Sequence, residues 1–285
     1  MARFEDILLT VDYDRTLTAP DSTIPKRNIE AIEYFIANGG TFTINSGRSI
    51  PMCANNVIPI VPVNAPLLLY NGSAAYDVKT GKLTRYAPIE LDQAEMIRDL
   101  QSRFPRLHIE IQGLDAHYLT RQDAGWENYC ESCHCAWGYV SPDNIPQPFI
   151  KAAINGPFGD GTVAEMYETD AEEQAIFQNA IDYIDAVYGH TLQTFRACPR
   201  IVDIHALGVS KLNSARLLQQ ELGKKILVCV GDAENDIAML DGADYAFCPA
   251  DGIIADRYEN VCPCANGAVA DVIYEKIPAI VQTKP

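Results

Sequence analysis

The sequence predicts an α/β fold in which helices cover a parallel sheet and an α+β segment is inserted into the middle of the chain. Strand patterns alternate with helical repeats near both ends, and strands joined by helices pair in parallel. Between residues 73 and 204 the pattern changes to alternating strand runs and one long helical repeat. The 285 residues therefore divide into an outer part, 1–72 and 205–285, and an insert, 73–204.

Each element has a local signal. In the first outer segment, a buried strand is predicted over 7–11, a helix from Pro25 to Gly39-Gly40, and strands over 41–45 and 67–69. In the second, the pattern predicts a helix over 210–222, a strand over 225–230, a helix over 235–240 and a strand over 245–247. In the insert, we expect strands over 107–112 and 163–167, a helix over 171–187, and loops over 142–148 and 155–161.

Composition excludes several classes of protein. Hydrophobic residues make up 48% of the chain, which suffices for a packed core, and 22 basic against 38 acidic residues give a charge of −16. A surface so acidic repels nucleic acid. The most apolar stretch, 57–70, is interrupted by prolines, and no signal peptide is evident. We therefore expect a cytoplasmic protein, a monomer or small homo-oligomer, whose nine cysteines are reduced thiols.

Two carboxylates, Asp12 and Asp14, directly follow the first predicted strand, and Thr16 comes two residues later. A pair at this spacing can divide the work of covalent phosphoryl transfer. One carboxylate attacks phosphorus, and the other protonates the leaving oxygen and then activates water. A solvated acidic turn is the competing interpretation.

Possible phosphate-binding groups follow the second strand and begin a late helix. Ser46, with the backbone N–H groups around Gly47, could bind a phosphate oxygen, although a simple helix N-cap would have the same sequence. Lys211 lies at the start of the predicted helix 210–222. Its ammonium could neutralise a transferring phosphoryl group, but many lysines at helix starts are merely solvated.

Oxygen donors cluster after the strand over 225–230, in Gly231-Asp232-Ala233-Glu234-Asn235-Asp236. Mg²⁺ prefers such ligands, and Asp232 and Asp236 share a face if a helix begins at once. The alternative is a set of acids that only stabilises a helix dipole. Ligands of open α/β sheets bind at the carboxyl ends of strands, so we expect the four motifs to converge there.

Taken together and in this order, the four motifs resemble those of the haloacid dehalogenase superfamily. The details around Asn71-Gly72, 208–211 and 231–240 are similar to its subclass IIB, the Cof-like sugar-phosphate phosphatases. The resemblance covers about 4–72 and 205–272 and implies a Rossmann-like core. The insert stands where that branch carries an α/β cap that determines substrate specificity.

The resemblance also implies roles for individual residues. Asp12 would be the nucleophile that forms an aspartyl-phosphate, and Asp14 the general acid and base. Ser46, Gly47, Lys211 and Asn235 would bind or support the phosphoryl group, and Thr16 would brace the loop. Mg²⁺ would be held by Asp12, the Asp14 carbonyl, Asp232 and Asp236.

Two positions depart from the family pattern, since Arg15 and Leu212 stand where glycine is common. Neither supplies catalytic atoms, so the chemistry should survive. Arg15 could contact an anionic substrate, a hypothesis that unchanged KM and kcat in Arg15→Gly would remove.

The insert contains an unusual stretch over 125–139, rich in aromatic residues and cysteines. Its aromatic residues, Trp126, Tyr129, Trp137 and Tyr139, are expected to form the insert's own core, with stacking on a sugar ring as the alternative. Zinc ligand types also occur together here, in Cys130, Cys133, His134 and Cys135. Four ligands within six residues cannot readily all reach one ion, so ordinary thiols are the default.

The function expected from these observations is Mg²⁺-dependent hydrolysis of a small phosphorylated metabolite, a sugar phosphate in the first instance. A phosphomutase could use the same aspartyl-phosphate, passing the phosphoryl group to another hydroxyl. A non-catalytic phosphometabolite-binding protein of the same fold is a third interpretation, against which the complete set of reacting side chains argues.

Overall fold

The computed structural model describes residues 3–156 and 168–282. Its strands are β1 Ile7–Val11, β2 Thr41–Ile44, β3 Leu67–Leu69, β4 Ala74–Asp77, β5 Lys82–Tyr86, β6 His108–Gln112, β7 His117–Leu119, β8 Trp137–Tyr139, β9 Ala152–Asn155, β10 Leu192–Cys198, β11 Ile201–Ala206, β12 Ile226–Val230, β13 Tyr245–Pro249 and β14 Glu259–Val261. Its α-helices are α1 Lys26–Ala37, α2 Ile50–Cys53, α3 Gln93–Arg103, α4 Ala124–Ser132, α5 Ala171–Tyr188, α6 Lys211–Glu221, α7 Ile237–Asp241, α8 Ala268–Asp271 and α9 Ile277–Gln282.

The chain forms two compact units. The first comprises residues 1–47, 60–85 and 210–285, and the second comprises 48–59 and 86–209. The predicted division of labour, with 73–204 selecting the substrate, stays a prediction.

The first unit is built on a parallel sheet with the strand order β14-β13-β12-β1-β2. Strand β1 is an interior strand between β12 and β2, and all five of its residues are buried. A largely apolar run whose residues are all buried is typical of a strand covered on both faces. Because β1, β2 and β12 run parallel, the residues that follow them emerge at one edge of the sheet, as the sequence predicts.

The second unit is a sheet with the order β10-β11-β9-β6-β7-β8, antiparallel except where β8 joins β7. Residues of one face, including Ile109, Ile111 and Ile204, pack with α3 and α5 in an apolar core. Strand alternation sends Glu110 and Asp203 to the opposite face. Both are buried there, and Asp203 pairs with Lys151 Nζ at 2.8 Å.

The aromatic residues of 125–139 serve mainly as core. Trp126 is buried, its Nε1–H donates to the Gly156 carbonyl at 3.0 Å, and Tyr129 packs edge-on against it. Tyr139 is 46% exposed and bonds to Glu127. All nine cysteines are free thiols.

The predicted α/β class, with its parallel sheet and α+β insert, is confirmed. The strand expected over 163–167 and most of the loop over 155–161 lie outside the described residues. Over the ranges described, no helix combines the length and apolar character that crossing a bilayer demands.

Candidate active site

Asp12 is the first residue beyond β1, and its N–H donates to the Val230 carbonyl at the end of β12 at 2.9 Å. The chain then turns through Tyr13–Leu17, where Asp14 has extended and Arg15 left-handed backbone angles. This turn keeps Asp12 buried, 7% exposed, while Asp14 is half-buried. The two carboxylates thus occupy different environments, which suits different roles in one reaction.

Arg15 occupies a left-handed backbone conformation with φ of 58°. Glycine adopts that region without steric cost, whereas a residue with a Cβ loses about 1 kcal/mol or more. Glycine therefore suits the position, and Arg15 occupies it at that cost. The Arg15 side chain is exposed, and its backbone N–H donates to Thr18 Oγ1 at 3.1 Å.

Lys211, the first residue of α6, reaches the edge of the sheet from the other end of the sequence. Its Nζ lies 2.6 Å from Asp12 Oδ1 and 2.7 Å from Asp236 Oδ1, and its side chain is 2% exposed. The Lys211 carbonyl accepts a hydrogen bond from Asn45 Nδ2 at 2.9 Å. Asn45 therefore ties the end of β2 to the backbone at the start of α6.

Asp232 and Asp236 follow β12. Asp236 Oδ2 accepts from the N–H groups of Asp232 and Ala233 at 3.1 and 3.2 Å, so the carboxylate is held by the backbone that follows β12. Thr16 Oγ1 donates to Asp232 Oδ1 at 2.9 Å, the bracing role predicted for it. Carboxylate oxygens of Asp12, Asp232 and Asp236 lie within 4.8 Å of one another and are buried. Three hard oxygen donors at this spacing fit a divalent cation.

Electrostatics favour a bound cation at this cluster. Burial raises the pKa of Asp12 well above its ordinary value, outweighing Lys211, and the charges of Asp236 and Asp232 raise it further. Burial, with the charge of Asp236 next, raises the pKa of Asp232 to about 6. Burial lowers the pKa of Lys211, but Asp12 and Asp236 outweigh it and raise the pKa above its ordinary value. One ammonium cannot offset all of these carboxylates, and a divalent cation would.

Backbone hydrogen bonds hold the Ser46-Gly47 segment, which follows β2, against β3 and the residues after it. The Ser46 N–H donates to the Leu68 carbonyl at 2.9 Å, and the Ser46 carbonyl accepts from the Asn71 N–H at 3.0 Å. A Cβ on Gly47 would lie 2.8 Å from Asn71 Oδ1, so the segments around Gly47 and Asn71 lie too close together for a side chain at position 47. Gly72 has φ of +95°, and a Cβ there would lie 2.3 Å from the Ser210 carbonyl oxygen. Asn71-Gly72 thus lets this loop approach the start of α6.

Leu212 also has a structural explanation. A Cβ on Gly242, at the end of α7, would lie 2.3 Å from Leu212 Cδ2. The Leu212 side chain therefore fits because Gly242 has no side chain. Helix α6 packs on α7 through this contact. The departure from the family glycine affects packing rather than the reacting groups.

Gly231→Ala is expected to lower kcat by about 10- to 100-fold while leaving the chain folded. A Cβ on Gly231 would lie 2.5 Å from Asp236 Cγ, so the carboxylate that holds Lys211 must move. Displacements of about 1 Å in a catalytic group have effects of this size. Steady-state kinetics measures the change. Gly138→Ala is the matched control because a Cβ there meets nothing within 4 Å, and equal kinetics in the two variants would contradict the expectation.

A model of the haloacid dehalogenase-like hydrolases matches residues 9–273, which span Asp12, Ser46, Lys211 and Asp232. The chain belongs to the haloacid dehalogenase-like hydrolases. The predicted family is thereby confirmed, and with it the predicted enzyme class, a phosphatase of the haloacid dehalogenase type.

Individual relatives of this haloacid dehalogenase-like hydrolase are distant. A protein of Streptococcus pyogenes serotype M6 that carries a provisional phosphatase name is 23% identical over 252 residues, 82% of this chain and 83% of its own. A haloacid dehalogenase-like hydrolase from Bacillus subtilis superposes with a TM-score of 0.76 at 14% identity, covering 94% of this chain and 99% of its own. A subclass IIB sugar phosphatase superposes at 0.73 with 16% identity, covering 95% and 98%. The solved structures establish the shared fold.

The structure of this hydrolase brings together Asp12, Lys211, Asp232 and Asp236 by direct contacts or short ligand spacings. Asn235 is half-buried in the turn 234–236, and its predicted role, like the roles of Asp14 and Ser46, stays a prediction. No role for Asn45 was predicted from the sequence. A polar residue that ends a buried strand was the available signal, since such a group needs a partner.

Proposed function

We propose that this phosphatase is Mg²⁺-dependent and hydrolyses a small phosphorylated metabolite, a sugar phosphate, through an aspartyl-phosphate on Asp12. The observation that carries the proposal is the position of Lys211 Nζ between Asp12 and Asp236 at the carboxyl edge of the sheet. An ammonium placed beside the attacking carboxylate stabilises the charge that develops on a transferring phosphoryl group.

The proposed reaction has two displacements at phosphorus. In the first, Asp12 Oδ forms a bond to phosphorus, the bond to the leaving oxygen breaks, and Asp14 protonates that oxygen. In the second, Asp14 takes a proton from water, the water oxygen bonds to phosphorus, and the bond to Asp12 breaks. The half-exposed position of Asp14 suits proton exchange, while burial of Asp12 excludes competing water.

The donors that we propose for Mg²⁺ are the carboxylates of Asp12, Asp232 and Asp236 and the Asp14 carbonyl. When bound, the ion would supply positive charge to the phosphoryl oxygens. The local excess of carboxylate would otherwise repel the substrate's phosphate. Ser46, the N–H of Gly47, Lys211 and Asn235 would bind the remaining oxygens or support those that do.

The substrate class rests on support of another kind. One of the superposed structures is a subclass IIB sugar phosphatase. At 16% identity the similarity supports only a shared fold, so a sugar phosphate as the substrate of this chain is our proposal. Three further statements are likewise predictions. Residues 73–204 would form a cap that selects the substrate, the protein would be located in the cytoplasm, and it would be a monomer or small homo-oligomer.

The proposal is tested by phosphate release from a panel of phosphosugars, nucleotides and phosphorylated vitamins, with Mg²⁺ and with a chelator. Phosphosugars should give the highest kcat/KM, and the chelator should remove activity until Mg²⁺ is restored. Chromatography of the products separates free sugar plus phosphate from the isomeric sugar phosphate of a mutase. Turnover unaffected by the chelator would contradict the metal requirement, and binding without turnover across the panel would favour a non-catalytic protein.

A further inference from the structure

A second cluster of metal-ligand side chains lies in the second unit and has no part in the proposed phosphatase reaction. It comprises His117 at the start of β7, Cys130 in α4 and Cys135 beyond that helix. All three residues are buried, and one ligand atom from each lies within 4.8 Å of the others. Because the two cysteines are free, their sulfurs are available to a ligand.

The local backbone explains why the two sulfurs come together. Helix α4 is followed by Cys133 and then by His134, whose φ of 53° lies in the left-handed region. This reverses the chain so that the Cys135 N–H and Sγ both approach the Cys130 carbonyl at 3.4 Å. Cys133 and His134 are not members of the cluster, so it differs in those two residues from the grouping that the sequence offered as an alternative to ordinary thiols.

Strand pairing then brings the imidazole to the sulfurs. The chain continues from Cys135 into β8, which pairs in parallel with β7 so that His117 lies opposite Trp137. The His117 N–H donates to the Ala136 carbonyl at 2.8 Å. His117 thus lies on the strand next to the loop that carries Cys135. The two residues are too far apart in sequence to belong to one local motif.

The imidazole is oriented by a buried carboxylate. His117 Nδ1 lies 2.5 Å from Glu110 Oε1, and Asn155 Nδ2 donates to Glu110 Oε2 at 3.1 Å. A carboxylate in this position fixes the tautomer and ring of metal-binding histidines. It leaves Nε2 as the ligand atom, and the hydroxyl of Ser49 lies 2.6 Å from that nitrogen.

We propose that His117 Nε2 and the thiolates of Cys130 and Cys135 bind one Zn²⁺ ion, with its fourth position beside the Ser49 hydroxyl. Sulfur and imidazole donors are the ligands that zinc prefers. Tetrahedral bonds of about 2.0–2.3 Å put ligand atoms about 3.3–3.8 Å apart, so spacings of up to 4.8 Å require shifts of about 1 Å. Binding releases the two thiol protons, and two thiolates balance the charge of the ion in a buried site.

Such an ion would have a structural role. It would join β7, α4 and the loop before β8, which meet around a small core that includes Leu119, Trp126 and Cys198. Removing it should loosen this corner of the unit and leave the Asp12 cluster of the other unit intact.

The test is metal analysis of the full chain after expression with added zinc and purification without chelator. We expect about one zinc per chain in the wild type and in Asp12→Asn, which separates this site from the proposed magnesium site. Cys135→Ser and His117→Gln should retain less than a tenth of it. Cys133→Ser, which changes a thiol of the same loop outside the cluster, should retain all of it.

Cobalt gives an independent result if those variants fail to fold. Titration of metal-free wild-type protein with Co²⁺ should produce the thiolate-to-metal absorption band and the strong visible bands of tetrahedral coordination. Wild type lacking both zinc and these bands would overturn the proposal. So would zinc retention in Cys135→Ser, or loss of zinc in Cys133→Ser.

Discussion

Asp12→Asn is expected to abolish phosphate release, with a loss in kcat of at least about 1000-fold. The amide has no charge with which to attack phosphorus, and no other described carboxylate occupies its position beside Lys211 Nζ and beyond β1. Steady-state phosphate release under saturating Mg²⁺ measures the effect. Activity near that of wild type would show that the nucleophile is misassigned.

The loss should not come from unfolding. In Asp12→Asn, Lys211 keeps its 2.7 Å contact with Asp236, and one of several repelling carboxylates is removed. The Tm without metal should therefore equal or exceed that of wild type. Asp21→Asn is the control, because Asp21 is an exposed carboxylate bonded only within its own turn by Thr23 among the described residues, and it should leave kcat unchanged.

Lys211→Met is expected to lower both activity and stability. Loss of the buried ammonium that we propose to bind the phosphoryl group should reduce kcat by about 100- to 1000-fold. Removing one partner from a buried ion pair destabilises proteins by about 3–5 kcal/mol, since the remaining charge is buried without compensation. Because Asp12 and Asp236 both lose their partner, the Tm without metal should fall by about 6–15 °C.

Added Mg²⁺ should restore part of this stability, because a divalent cation offsets the same carboxylates. Thermal melts of Lys211→Met and wild type, each with and without Mg²⁺, measure the difference. The larger Mg²⁺-dependent rise is expected in the variant that lacks the ammonium. Lys225→Met is the control, because its pair with Asp6 is 70% and 42% exposed and should change stability by less than about 0.5 kcal/mol. A Tm of Lys211→Met equal to that of this control would contradict the structural account.

The residues around Lys211 show how the site relates to the fold. Desolvation and mutual repulsion of Asp12, Asp232 and Asp236 cost stability, and the N–H groups of the turn after β12 and the Thr16 hydroxyl offset part of that cost. Such clusters are common at catalytic sites, where stability is exchanged for reactivity.

Much of the outer part could be predicted because its signals are local. The apolar run Ile7–Val11, the helical repeat of α6 and the carboxylates that follow β1 and β12 depend on neighbours in sequence. Parallel strands then bring the motifs to one edge of the sheet by a general rule of topology. The fold class, the family and the enzyme class therefore followed from the chain alone.

Other features depended on residues far apart in sequence. Asn45 bonds to the carbonyl of Lys211 across 166 positions, and Leu212 requires the bare backbone of Gly242. The sequence grouped Cys130 with Cys133, whereas the fold gathers Cys130 and Cys135 around His117, because a left-handed turn at His134 and the pairing of β7 with β8 determine which side chains meet. Periodicity and motifs report local preference, whereas the partner of a buried polar group is decided by packing, which only the tertiary structure contains.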